Sequence, residues 1–339
     1  MTSTSPLPLL DKFGRQVTYL RLSVTDRCDL RCKYCMAEAM TFLPKKELLT
    51  LEELEFVTQA FIRRGVRKVR ITGGEPLVRK GIMTLFSQLG AQLRQGLEEL
   101  TLTTNATHLS QYADGLARAG VRKVNVSLDT LDPARFVDIT RRDQLDQVLD
   151  GIAAAKAAGL KVKINTVALK HQNMDEIPEI IAWAHGEGHD ISLIEVMPLG
   201  DTGEDRFDQY VPLDMIQQQL EQRWTLAQET ERDLLGGPSR YFRIPETGGR
   251  VGFITPLTNN FCAGCNRVRV TCTGRIYMCL GQNDHIDLRA PLRESSDPAK
   301  ALDEALDAAL FAKPEKHDFS IRSPGQAPTL PRHMSVTGG

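Results

Sequence analysis

The chain has 339 residues, with 42 Lys and Arg against 43 Asp and Glu, a formal net charge of -1, 41% hydrophobic residues and 25% charged ones. That length suits one large domain with an extension or two domains, and ordinary apolar and charged fractions exclude a largely disordered chain. The charge balance excludes a broadly basic nucleic-acid binder, and no run reaches the ~18–20 apolar residues of a membrane span. The opening MTSTSPLPLL has no basic start and no long apolar core, so a signal peptide is not expected and a cytoplasmic location is. Seven cysteines cannot all pair internally, and clustered cytosolic thiols more often serve metals or catalysis than disulfides.

In chain order, strands are predicted at 17–24, 66–71, 100–104, 123–128, 161–167 and 191–197, each short, rich in β-branched or apolar residues and separated from the next by a helix-length stretch. The first helix carries its own punctuation: Thr50 and Glu53 form a capping box, Leu51, Leu54, Val57 and Phe61 an apolar stripe, and Gly65 an end. Gly120 and Gly159 close later helices in the same way, and the alanine-rich 143–158 reads as packing against the sheet. Six β/α units in a row imply a parallel α/β sheet, either doubly wound or a barrel-like array short of eight strands, with functional loops at the carboxyl ends of its strands. After Gly236-Gly237-Pro238 the pattern breaks. Segments 240–244 and 250–254 read as a hairpin around Thr247-Gly248-Gly249, followed by a cysteine-rich stretch, a helix near 298–311 and a tail ending Gly338-Gly339. The expected division is therefore 1–235, a β/α unit, and 236–339, a C-terminal region with hairpin, cysteines and tail.

Cys28, Cys32 and Cys35 form C-x3-C-x2-C directly after the first strand. Three thiolates on one short loop can hold three corners of an iron–sulfur cubane, leaving one iron open to chelate a small molecule. A structural zinc site would need a fourth ligand, and no His or further Cys lies close by in sequence. The scattered His171, His185, His189 and His285 read as structural or surface residues.

With Tyr34 before the last cysteine, and with Gly73-Gly74-Glu75-Pro76 at the end of the next strand, the segment resembles the radical S-adenosylmethionine (SAM) superfamily. That resemblance implies an incomplete (β/α)6 barrel, a 4Fe-4S cluster on Cys28, Cys32 and Cys35, and SAM chelated to the open iron. Electron transfer then cleaves SAM to a 5′-deoxyadenosyl radical that abstracts hydrogen from a substrate. Glycines at 73 and 74 suit close backbone approach.

Cys262 and Cys265 form a second C-x2-C, with Cys272 and then Cys279 beyond it. Ligand type alone permits a four-thiolate zinc site or a second three-thiolate cluster with Cys272 spare. Arg267 and Arg269 put two guanidiniums beside these cysteines, suited to gripping phosphate or carboxylate. Together with the C-x2-C-x13-C spacing and the Gly-Gly end, the order of motifs from about Arg21 to Gly339 closely resembles the GTP 3′,8-cyclase family of molybdenum cofactor biosynthesis.

The resemblance implies a second 4Fe-4S cluster on Cys262, Cys265 and Cys279. It implies SAM contacts at Tyr34, Gly74, Ser127 and Met197, and GTP contacts at Arg21, Arg70, Thr103, Lys163, Arg267 and Arg269. Gly338 and Gly339 fall inside the catalytic cavity. The implied reaction removes the 3′-hydrogen of GTP and joins C3′ to guanine C8, and its product passes to cyclic pyranopterin monophosphate synthase. A low-potential electron donor is implied, and the family leaves room for a homodimer. Ser192 stands where the family commonly has arginine, so another cation must compensate; Ser192→Arg is expected to be tolerated or to improve GTP affinity. Two rival readings are a twin-cluster radical SAM enzyme acting on a peptide and a non-enzymatic zinc module.

Overall fold

The computed structural model describes residues 7–230, 235–321, 323 and 325–338. Six strands follow one another as predicted: β1 (Tyr19–Ser23), β2 (Lys68–Thr72), β3 (Glu99–Thr104), β4 (Lys123–Ser127), β5 (Lys161–Ala168) and β6 (Asp190–Glu195). Each pairs in parallel with the next, and helices fill the crossovers. The capping box of the helix Leu51–Arg63 is formed in both directions, and Gly65 leaves it at φ +95°. Between β4 and β5 two helices, Pro133–Thr140 and Leu145–Ala157, stand where one was expected, separated by Arg141 at φ 57°.

The later strands are β7 (Ala227–Gln228), β8 (Arg240–Ile244), β9 (Gly249–Ile254), β10 (Arg267–Val270), β11 (Arg275–Tyr277) and β12 (His285–Asp287). They make no sheet of their own. β9 pairs parallel with β6 and carries β8 and β7 outward, while β10 pairs parallel with β1 and carries β11 and β12. All twelve belong to one sheet in the order β12-β11-β10-β1-β2-β3-β4-β5-β6-β9-β8-β7. The result is an open, unclosed β/α array, with the region beyond 235 sewn onto both edges of the region before it.

Parallel sheets covered on both faces by helices read as near-continuous apolar runs, but these strands alternate. Leu20, Leu22, Val69, Ile71, Leu102, Val124, Val126, Ile164, Leu193 and Phe253 face the helices and form the core. The register places Tyr19 and Arg21 opposite Lys68 and Arg70 on one side and opposite Arg267 and Arg269 on the other. Asn125, Lys163 and Asn165 continue the same polar face, and Ser192 pairs with Asn165. One face is therefore hydrocarbon and the other is lined with cations and amides. Among the described residues no helix is long and apolar enough to cross a membrane.

Candidate active site

The topology separates the two cysteine groups. Cys28, Cys32 and Cys35 follow the carboxyl end of β1, whereas Cys262 and Cys265 precede β10, which runs parallel to β1. Cys279 follows β11, which returns antiparallel, so it joins Cys262 and Cys265 at the opposite end. Between the ends lie five residues of β1, on the order of 17 Å of strand.

At the first end, Gly73 and Gly74 lie against the loop before Cys28. Gly74 N–H donates to the Thr25 carbonyl at 2.8 Å and Glu75 N–H to the Arg27 carbonyl at 2.7 Å. A Cβ on Gly74 would meet the Arg27 carbonyl, and one on Gly73 would stand 2.8 Å from the Thr25 carbonyl, so glycine is a packing requirement at both positions. The Glu75 carboxylate is fully buried and accepts from Leu77 N–H, Thr104 Oγ1 and Asn105 N–H at 2.7–2.9 Å. Burial pushes its pKa up to about 8 against those donors. Glu75 thereby ties the end of β2 to the end of β3, while Asn105 Nδ2 reaches Asp29 at 2.8 Å and Cys28 Sγ at 3.7 Å.

A cleft opens here, lined by Cys28, Cys32, Tyr34, Gly74, Thr103 and Ser127 among others. Four of the SAM and GTP positions named from sequence thus share one cleft with two cysteines. Tyr34 donates its hydroxyl to Asp129 at 2.7 Å, and Asp129 also accepts from Val167 N–H. Met197 lies in the loop after β6, half-buried. Burial raises the thiols of Cys28 and Cys32, and Cys35 to about 11, although the Ser335 N–H and Arg206 oppose the last of these.

The cationic centre is the middle of the polar face. Burial drives Tyr19 upward, yet Arg70, Arg21, Lys68 and Arg267 together bring its phenol down to about 8. Burial and neighbouring cations lower Arg21 to about 10 and Arg269 well below its ordinary value. Lys163 is also lowered by burial, and Arg70, three strands away, contributes; its Nζ donates to Tyr241 Oη at 2.6 Å. The Nε atoms of Arg70 and Arg267, and the hydroxyls of Thr72, Thr103 and Ser335, are buried without a hydrogen-bond partner among the described residues. Buried donors are normally satisfied, so unsatisfied guanidinium and hydroxyl groups spread along this face fit a polar, anionic ligand.

The tail enters this space. Leu330 bridges Leu199, the short helix Met334–Thr337 follows, and the buried Gly338 carbonyl accepts from Arg269. Gly338 has φ +77°, and a Cβ there would collide with the Thr72 hydroxyl. Gly339 lies outside the described residues.

At the second end, burial raises the Cys279 thiol and the neighbouring Cys265 and Cys262 add to it, whereas Cys272 is fully buried beside Ser23 and Asp26 and is pushed up to about 12 by burial. Burial also raises Cys265, but Arg267 and Lys313 overcome it and hold the thiol at about 7. A donor set of three thiolates, one already acidic and Cys272 set apart, suits a cubane with one open iron. Among the described residues no three Cys, His, Asp or Glu converge on one ion, an arrangement a cubane does not require, because each thiolate takes its own iron.

Ser192 is fully buried, with Oγ 2.9 Å from Ser239 Oγ and with Gly252 opposite it in register. Gly252 is required there, because a Cβ on it would stand 2.6 Å from Ser192 Oγ and 2.9 Å from the Tyr241 ring. Tyr241, Tyr19, Asn165 and Lys313 escaped the sequence reading. For Tyr19 and Asn165 the signal was polar alternation in a sheet predicted to be parallel; for Tyr241, in the predicted hairpin, and for Lys313 no local signal exists.

A model of the radical SAM superfamily matches residues 22–184, and one described as Molybdenum Cofactor Synthesis C matches 189–319. The junction between them falls ahead of the boundary expected at 235. A GTP 3′,8-cyclase of Erythrobacter litoralis is 61% identical over 331 residues, 98% of each chain, and one of Rhizobium meliloti is 59% identical over 99% of this chain and 96% of its own. Among solved structures, Streptococcus suis SuiB bound to S-adenosylmethionine shares the fold at TM-score 0.59 and 18% identity, covering 89% of this chain and 69% of that one.

Proposed function

The chain belongs to the GTP 3′,8-cyclase family, and from that membership we propose that it converts GTP, with SAM as radical source, into (8S)-3′,8-cyclo-7,8-dihydroguanosine 5′-triphosphate, the first step of molybdenum cofactor biosynthesis. The observation that carries the reading is the buried cationic face strung between two three-cysteine groups at opposite ends of one sheet. A peptide substrate would leave those guanidiniums desolvated without phosphate to match them.

Cys28, Cys32 and Cys35 would hold one 4Fe-4S cluster, and Cys262, Cys265 and Cys279 the other. When bound, the clusters supply the electron that cleaves SAM and an open iron for the guanine. Around SAM, Gly74 admits close backbone approach, Ser127 and Tyr34 border the cleft, and Met197 would contribute from the loop after β6. Along GTP, Arg267, Arg269 and Arg21 take the triphosphate side, with Arg70, Thr103 and Lys163 on the strands beyond. Holding C3′ and C8 within one bound molecule supplies proximity, and the tail inserted as far as Gly338 excludes water from the reacting carbons. A low-potential electron donor serves the first site, the product passes to cyclic pyranopterin monophosphate synthase, and the enzyme works in the cytoplasm, where it can form a homodimer.

Anaerobic reconstitution followed by reaction with GTP, SAM and dithionite tests the reading. The expected outcome is about eight irons per chain and 5′-deoxyadenosine formed in step with cyclised nucleotide. Zinc in place of iron, or iron with no change in GTP, would overturn it.

A further inference from the structure

We propose that Lys313 is a positioning residue of the second cysteine site, supplying the resident positive charge that holds its thiolates and sets the reduction potential of the cluster they carry. The inference rests on Cys262, Cys265 and Cys279 being cluster ligands.

Lys313 caps the helix Pro298–Ala312 and is 1% exposed, unusual for a lysine. Its Nζ lies 3.6 Å from Cys265 Sγ and donates to the Met278 carbonyl at 3.3 Å. Met278 directly precedes Cys279, so one ammonium spans the two halves of the site, which the sequence separates by thirteen residues. A buried ammonium needs an anion to balance it, and the thiolate sulfurs are the anions within reach. Arg267 also acts on Cys265, but it belongs to β10 and the polar face proposed for the nucleotide; Lys313 comes from the end of the helix Pro298–Ala312. Two further cations grip the same loops by their backbone. Arg15 donates to the Cys262 carbonyl at 2.8 Å and to the Pro314 and Glu315 carbonyls beside Lys313, and Arg332 donates to the Cys279 carbonyl at 3.4 Å. The site is therefore held by three segments far apart in the chain. Positive charge and N–H donors on cluster sulfur favour the more negative, reduced state and raise the potential.

The test uses full-length protein carrying Cys28→Ala, Cys32→Ala and Cys35→Ala, so that the second site alone can load iron. The measurements are iron and sulfide content and an EPR-monitored redox titration. Lys313→Gln should load a cluster whose reduced-to-oxidised ratio at a fixed potential falls about tenfold, roughly 59 mV for one electron, and Lys313→Arg should recover most of that shift. An unchanged titration in loaded Lys313→Gln would overturn the proposal. Should Lys313→Gln fail to load, loading restored by Lys313→Arg supports the charge role, and failure of both variants with native far-UV circular dichroism refutes it. A parent triple variant that binds no iron would instead overturn the reading of the second site itself.

Discussion

The two cysteine sites solve one coordination problem with opposite electrostatics. The first is a local loop of eight residues set among Asp29, Glu75 and Asp129, and burial together with those carboxylates keeps its Cys28 and Cys32 thiols high. The second is assembled from residues 262–279 and from cations delivered by residues 15, 313 and 332, and it holds Cys265 at about 7. The contrast suits the roles proposed for them. A buried, acid-lined surround disfavours added negative charge and so helps a reduced cluster give up its electron, whereas a cationic one suits a site beside a triphosphate.

The largest effect expected from this comparison is loss of one cluster at a time. Cys32→Ser and Cys265→Ser should each reduce bound iron from about eight to about four and abolish cyclisation, whereas Cys272→Ser should keep both. Iron analysis with product assay checks it, and loss of iron in Cys272→Ser would restore the four-thiolate zinc-type grouping. Next comes the space between the sites. Gly338→Ala, strained at φ +77° and driven into Thr72, should lower turnover on the order of 10²-fold with iron content unchanged, and deleting Gly338 and Gly339 should abolish it. Unaltered turnover in the deletion would place the tail outside the reaction. The smallest effect concerns the metal-free protein. Cys265, with its pKa below that of an unfolded thiol, loses its proton on folding between pH 7 and 9, so its contribution to stability grows as pH rises through that window. At pH 8 it should alkylate about tenfold faster than Cys35, whose thiol stays protonated to about 11, the gain in thiolate being partly cancelled by lower nucleophilicity. Mass spectrometry of labelled peptides reads the ratio, and equal rates would remove the electrostatic contrast.

Local signals carried much of the fold. Thr50 and Glu53 announced a helix start that the structure forms in both directions, and the six β/α strands fall within a few residues of their predicted bounds. The hairpin around Gly248 was equally readable, because its turn chemistry lies within ten residues. What was not readable is pairing at a distance. Nothing near Arg267 tells that β10 lies beside β1, or that β9 lies beside β6, so 236–339 was expected only as a C-terminal region with hairpin, cysteines and tail. The same holds for Lys313, an unremarkable lysine after a helix until the chain folds it against Cys265. Between these extremes lies the alternation of YLRLS, KVRIT, KVNVS and KVKINTVA, which recorded a polar face all along.

The pairing of Tyr19 with Arg267 also sets a timetable. At about 5–20 residues per second, the roughly 250 residues between them take some 12–50 s to be synthesised. Throughout that interval β1 is an unpaired edge, and Arg21 on it is the kind of charge that discourages a wrong neighbour from docking. The strand that will help grip the substrate thus first serves as its own guard against aggregation, and the pocket comes into being only as the last segments of the chain arrive.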